Sequence, residues 1–364
     1  MNRNLYLAST PMIALAAAGA ARAQGGRARL VLLEDFDLAA RFEALLRGWR
    51  DNPFEDIVRL PGRHTEHVRG APDRARGVRA LVRRTRVKRT LRRETLAAIA
   101  ALDEAFRPDA LWLGNDRKVE TQFALHLAAR RSSNPSPGNY LDDGLYTYLG
   151  DVRQRPWVRR KDWLVKRTVY GGWWQRASHA GTTPWIASAW LAFPQFAPPC
   201  YRHVQALPRA WFANSAILRL SARAARMFDM PRGWARRCAG VLVLPHSNQL
   251  LANPALADAL RQRLRAAADA GTPLAVKYHP REVDPDPARL VGAGAALVLP
   301  ALLPMELLLP LLPAGALLIG EGSTALLAAR WLRPDLRIGD LGISGDGYAA
   351  RARQLFAQAG IPVV

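Results

Sequence analysis

The sequence predicts an α/β protein made of two Rossmann-like domains facing each other across a cleft. Three observations carry this. Short apolar runs alternate with helical patterns in both halves of the chain, as parallel strands joined by crossover helices do. Several runs end in polar residues, as in Pro273-Leu-Ala-Val-Lys-Tyr-His279-Pro280 and Gly320-Glu-Gly-Ser323-Thr324. Finally, 364 residues, 49% of them apolar, suffice for two globular domains of ordinary size. We place the first at residues 1–200 and the second at 201–364.

The chain opens with a strand near 4–8 and a helix from Met12 to Ala23, with Pro11 at the first helical position, where its missing N–H costs nothing. A strand from Arg29 to Leu33 completes a βαβ unit. The first 25 residues also resemble a secretory signal: Arg3 precedes an apolar run, and Ala21-Arg22-Ala23 mimics a cleavage site. The interruption Ser9-Thr10-Pro11 and the alternation downstream favour the βαβ reading. Strands follow near 56–60 and 110–114. The latter ends in Gly114-Asn115-Asp116 before a helix from Glu120 to Arg130, and a strand-like Asn139-Tyr-Leu runs into Asp142-Asp143-Gly144.

The second half is more regular. Gly240 to Pro245 reads as a strand. Pro254 to Ala268 reads as an amphipathic helix, with Leu256, Leu260 and Leu264 on one face. Strands at Leu274–Tyr278, Ala296–Leu299, Ala316–Ile319 and Leu336–Ile338 alternate with helices at 304–312, Ser323–Leu332 and Tyr348–Ala359. There is no solenoid-type repeat and no apolar run of transmembrane length.

The formal net charge is +22, and only five of 52 basic residues are lysine. That excess of arginine, with abundant Ala, Leu, Gly and Pro, fits GC-rich codon usage. The charge still attracts polyanions such as nucleic acid, anionic lipid or acidic glycans. Arg74 to Arg93 holds ten basic residues and no acid. It reads as a solvated helix face or loop, or as a patch for a membrane surface or polyanionic acceptor. Residues 157–195 hold six of eleven tryptophans; they suit core packing, or stacking on bases, sugars or lipid. Cys200 and Cys238 suit neither a zinc site nor a disulfide framework, so we expect a reduced, cytoplasmic protein, or a secreted one if residues 1–23 are a signal.

In an open α/β sheet, ligands bind outside the carboxyl ends of the strands. Gly322-Ser323-Thr324 sits at a strand-to-helix junction, where hydroxyls and free N–H groups bind phosphate or simply cap the helix. His279, fixed by Pro280, can donate to a phosphate oxygen as a leaving group departs. Lys277 lies two residues earlier on the same side of its strand. A carboxylate of Asp142 or Asp143 can deprotonate an attacking hydroxyl. Neither a G-x-G-x-x-G nor a Walker A run occurs, which disfavours dinucleotide and P-loop binding. The D-x-D patterns Asp35-Phe-Asp37 and Asp284-Pro-Asp286 are weak candidates for a metal, and we expect none.

Together these motifs resemble the bacterial GT-B sialyltransferases, a group of lipooligosaccharide sialyltransferases and capsule polysialyltransferases. That group carries an acidic-acidic-Gly motif, a His-Pro motif and a Ser-Ser or Ser-Thr motif in this order. Here they are Asp142-Asp143-Gly144, His279-Pro280 and Ser323-Thr324; Glu306 follows His279 by 27 residues and Ser323 follows it by 44. The third motif has Thr for the second Ser, and Tyr278 stands where a smaller residue is expected. The resemblance implies the GT-B fold, with an acceptor-side domain followed by a CMP-sugar-binding domain. It implies a metal-independent, inverting transfer of sialic acid from CMP-sialic acid to an oligosaccharide or polysaccharide of the cell surface, with no cofactor beyond that donor. Asp142 would be the base, with Asp143 as the alternative. His279 would support the departing CMP phosphate, held with Pro280, Ser323 and Thr324, while Lys277 and Glu306 would hold the nucleotide. The basic run Arg74 to Arg93 would suit peripheral contact with the inner membrane. A CMP-Kdo transferase needs similar donor chemistry. A basic polyanion- or nucleic-acid-binding protein without catalysis is a third reading, but no nucleic-acid motif supports it.

Overall fold

A computed structural model describes residues 1–36, 38–70, 78–131, 133–150, 156–282, 284–342 and 347–364. The chain forms two compact units, Met1–Phe212 and Ala213–Val364, each an α/β layer structure around an all-parallel sheet.

The first unit runs β1 (Arg3–Ala8), α1 (Pro11–Gln24), β2 (Arg27–Glu34), α2 (Ala39–Arg47), β3 (Asp56–Pro61), α3 (Arg63–Gly70), α4 (Val78–Phe106), β4 (Ala110–Leu113) and α5 (Val119–Arg131). It continues with β5 (Gly138–Leu141), α6 (Leu145–Leu149), α7 (Pro156–Tyr170), β6 (Ile186–Leu191) and β7 (Val204–Ala206). The seven strands lie in the order β3-β2-β1-β4-β5-β6-β7. Leu5, Tyr6, Leu7 and Ala8 of β1 are all buried, as expected of a central parallel strand covered on both faces. Thr10 caps α1 by accepting the Ile13 N–H at 3.3 Å, and Pro11 opens the helix. The expected βαβ start is therefore present, with nine residues of α1 buried. Because β7 pairs with β6, residues just past 200 continue this unit. The unit ends at 212, beyond the sequence-based limit of 200.

The second unit runs α8 (Ser215–Met227), α9 (Trp234–Arg237), β8 (Gly240–Val243), α10 (Ser247–Ala252), α11 (Pro254–Asp269), β9 (Leu274–Lys277), β10 (Leu297–Leu299), α12 (Met305–Leu308), β11 (Leu317–Gly320), α13 (Thr324–Leu332), β12 (Arg337–Asp340) and α14 (Tyr348–Gln358). Its strand order is β10-β9-β8-β11-β12. Leu260 and Leu264 of α11 pack with Leu242, Val276 and Ile319 of the sheet. Each such leucine contributes roughly 1.5–3 kcal/mol by leaving water. Tyr278 is buried in the same core. Its hydroxyl donates to Asp286 at 2.5 Å and accepts the Ala288 N–H at 3.3 Å. The large residue before His279 thus points inward and pins the following loop.

In both units the sheet grows outward in two directions from its first strand. The order reverses between β1 and β4, and between β8 and β11. These are the topological switch points where such sheets bind ligands.

Candidate functional site

In the second unit, the sequence-selected residues follow three strands: Lys277 and His279 at β9, Glu306 after β10, and Ser323 and Thr324 after β11, with β8 between β9 and β11. Lys277 closes β9 and is 2% exposed; its Nζ donates to the Ala301 carbonyl at 2.8 Å in the loop after β10. Burial lowers its pKa to about 8, while the Glu306 carboxylate pulls the other way. Glu306 opens α12, and its own pKa is raised by burial against the opposing charge of Lys277. The charge of each thus opposes the shift that burial imposes on the other.

His279 follows β9 and is half-buried. Its Nδ1 accepts the Arg281 N–H at 3.2 Å, so Nε2 carries the hydrogen of the neutral ring. Burial lowers its pKa; Arg281 and His246 push the same way, and Glu282 opposes them. His279 is therefore a neutral N–H donor near pH 7. Pro280 lies exposed in the turn that follows.

Ser323 is the N-cap of α13, its Oγ accepting the Ala325 N–H at 3.2 Å. The simple capping reading is thus correct for Ser323, and it leaves the part-exposed hydroxyl of Thr324 in the first turn. Gly322 has φ of 50°, a left-handed conformation suited to glycine, and its N–H meets Asp340 Oδ1 at 2.8 Å. Asp340 Oδ2 and Glu321 Oε2 are buried without a partner. Burial raises the Glu321 pKa, and Asp340 raises it further.

In the first unit, the acidic pair separates into two roles. Asp142 is 2% exposed. Its Oδ1 accepts the Gly144 N–H at 2.8 Å; its Oδ2 accepts the Ala192 N–H at 2.9 Å and the Tyr148 hydroxyl. Burial pushes its pKa up, and these donors pull it down. Gly144 adopts φ of 85°, the left-handed turn that brings its N–H back to Asp142. The acidic-acidic-Gly pattern thus has a local cause. Asp142 locks the turn after β5, and the part-exposed Asp143 is presented outward.

The Asp143 Oδ1 accepts from Thr10 Oγ1 at 3.4 Å. Thr10 follows β1 and Asp143 follows β5, so this bond spans the end of β4 at the switch point. Lys118 pairs with Asp35, and its pKa is lowered by burial against Glu120 and Asp143. Asp116 is wholly buried, accepting the N–H groups of Gly181 at 2.6 Å and Thr183 at 2.7 Å. Sequence reasoning missed Thr10 and Lys118 as neighbours of Asp143. Only the strand order, not spacing along the chain, brings them together.

The remaining candidates sort themselves by burial. Trp190 packs with Trp112 and Trp211, and Trp173 with Phe123 and His126, whereas Trp157 and Trp163 are exposed on α7. Arg74 to Gly77 and Asp37 lie outside the described residues; the rest of the basic run is part of α4. Asp35 accepts the Arg63 N–H at 2.7 Å. Asp286 is occupied by Tyr278, Leu290 and Val291, and Asp284 by the Asp286 N–H. Among the described residues no three His, Cys, Asp or Glu gather as a metal site, and no helix is long and apolar enough to cross a membrane.

No family model matches the chain, and no curated protein does. Solved structures do. An α/β-galactoside α-2,3-sialyltransferase from the luminous marine bacterium Photobacterium phosphoreum superposes with a TM-score of 0.56 at 10% identity, covering 99% of this chain and 96% of that one. A sialyltransferase from Photobacterium damsela gives 0.50 at 9% identity, over 100% and 81% of the two chains. UDP-GlcNAc 2-epimerase from Methanocaldococcus jannaschii gives 0.50 at 10% identity, over 100% and 88%. The chain has the two-domain parallel α/β fold of these GT-B glycosyltransferases and of the epimerase. At such identities the likeness is one of fold.

Proposed function

We propose that the chain is an inverting, metal-independent glycosyltransferase that moves sialic acid from CMP-sialic acid to a hydroxyl of a cell-surface glycan. One observation carries the reading. His279, Ser323 and Thr324 stand at strand ends about the switch point of the second sheet, with the buried Lys277 and the part-exposed Glu306 in the same unit. That set suits a nucleoside monophosphate: N–H and hydroxyl donors and a helix N-terminus for the phosphate, a charged pair for the nucleoside. CMP-Kdo has the same leaving group and is the second donor to test.

In this reading Asp143, not the buried Asp142, accepts the proton of the acceptor hydroxyl. The acceptor oxygen forms its bond to the anomeric carbon on the face opposite the breaking bond to the CMP phosphate, which inverts the configuration. Neutral His279 donates Nε2–H to the phosphate as negative charge collects there, and Thr324 and the first turn of α13 add donors. These groups offset the charge without a metal, since the leaving group is a monophosphate. The exposed, basic α7 and α4 suit peripheral contact with an anionic membrane.

The deciding experiment is a donor screen with EDTA present, in which CMP-sialic acid, CMP-Kdo and UDP-N-acetylglucosamine are each offered and products are identified by mass. Transfer or hydrolysis of CMP-sialic acid is expected, falling about 10²-fold or more in His279→Ala. Turnover of the UDP-sugar alone would replace this reading with an epimerase-like one.

A further inference from the structure

We infer that His246 is a second phosphate ligand of the nucleotide site, paired with His279. The inference rests on the CMP-donor reading and extends it to a residue outside every motif considered above. Its first support is register. Val243 of β8 lies opposite Lys277 of β9 on one side and Gly320 of β11 on the other. His246 is three residues past Val243, His279 two past Lys277, and Ser323 three past Gly320. β8 is the middle strand of the three. An anion touching both His279 and the start of α13 must therefore pass the end of β8, where His246 stands.

The second support is the geometry of the two rings. Their centroids are 5.7 Å apart. His246 Nδ1 accepts the Asn248 N–H at 3.2 Å, as His279 Nδ1 accepts that of Arg281 at 3.2 Å. Both rings thus use Nδ1 on the backbone two residues ahead, leaving Nε2 of each as an N–H donor in the neutral form. With Nδ1 so engaged, the pair is arranged to donate through Nε2.

The third support is a brace. The Glu282 carboxylate, its side chain 6% exposed, accepts from both the N–H and the hydroxyl of Ser247, the latter at 2.9 Å. Its Oε1 lies 3.5 Å from His246 Nδ1. Glu282 follows β9 and Ser247 follows β8, so one nearly buried carboxylate ties together the loops that carry the two histidines. Such a brace makes sense where two donors must keep a fixed separation.

The test separates contact with the phosphate from a structural role by comparing CMP with cytidine, titrated by calorimetry into wild type, His246→Ala and His246→Gln, with CD to confirm folding. A hydrogen bond to a charged group is worth about 1.5–3 kcal/mol, so His246→Ala is expected to weaken CMP roughly 10- to 100-fold. Cytidine, which lacks the phosphate, should bind as before. His246→Gln, which keeps an N–H donor, should recover part of the loss. Unchanged CMP affinity, or an equal loss for CMP and cytidine, would overturn the inference. If wild type binds UDP but not CMP, the CMP reading fails while UDP against uridine still reads the histidine pair. If it binds neither nucleotides nor inorganic phosphate, both fall.

Discussion

At the scale of single residues, neighbours decide what a motif does. Two adjacent aspartates look equivalent in sequence, yet one faces three donors inside the fold and the other faces Thr10. Asp142→Ala should strand the N–H groups of Gly144 and Ala192 and the Tyr148 hydroxyl, at about 1–3 kcal/mol for each buried group left unpaired. Its Tm should fall clearly. Asp143→Ala should keep a near-native Tm and lose transfer by about 10²-fold or more. Near-full transfer in Asp143→Ala would remove it as the base.

Lys277 gives a pH signature. With its pKa lowered to about 8, it is charged at neutral pH and loses its charge as pH rises through that value. Donor KM should therefore rise above about pH 8, and Lys277→Met should lack that limb. The sign for stability is opposite: a depressed lysine favours the fold in its neutral form, so its contribution is present above the unfolded pKa of 10.5 and lost as pH falls toward 8. A donor KM flat from pH 7 to 9.5 would exclude a role for the ammonium. His246 was invisible in sequence because nothing in Pro245-His246-Ser247 hints at a partner 33 residues away.

At the scale of elements, legibility followed hydrophobic continuity. β1, β8, β9 and β11 were readable because strands buried on both faces are near-continuous apolar runs. β6 (Ile-Ala-Ser-Ala-Trp-Leu) was hidden by its small residues, and the three-residue β7 by its brevity. α4 was obscured because among its described side chains none from Val82 to Thr90 is buried. α7 is the element with most left to explain. Trp157 is 62% exposed, Leu164 61% and Val169 60%. Arg160 and Lys161 are exposed beside them. The helix is held by Lys166 over the Trp174 ring and by Arg92 of α4 against Tyr170. Trp157 and Leu164, two turns apart, share a face with Arg160 and Lys161 on either side, an arrangement that suits the boundary of an anionic bilayer. Wild type should sediment with vesicles containing phosphatidylglycerol and not with purely zwitterionic ones. The double variant Trp157→Ser/Leu164→Ser should bind at least about tenfold more weakly, since each buried large apolar side chain is worth roughly 1.5–3 kcal/mol. Equal sedimentation of variant and wild type would assign that face elsewhere.

At the scale of the whole molecule, the two units carry separate sheets, and the proposed chemistry divides between them: nucleotide on the second, base on the first. The class of each unit was legible in its alternation of strands and helices. The strand orders that place Thr10 beside Asp143 and His246 beside His279 were not, because pairing between strands distant in sequence leaves no local trace. That division makes a prediction about where ligand energy goes. A ligand that binds only the folded state stabilises it by about 2.7 kcal/mol at a hundredfold excess over Kd. If CMP sits at the ends of β8, β9 and β11, that energy enters through the second unit. Hydrogen exchange with saturating CMP should slow most in peptides spanning 240–250, 274–282, 304–308 and 320–326. Peptides spanning 113–118 and 141–145, at the strand ends of the first unit, should slow less. Cytidine at equal occupancy should protect 304–308 but protect 246–248 and 322–326 less, because those positions answer to the phosphate. Protection confined to the first unit would put the nucleotide on the wrong sheet and undo the assignment of donor and base together.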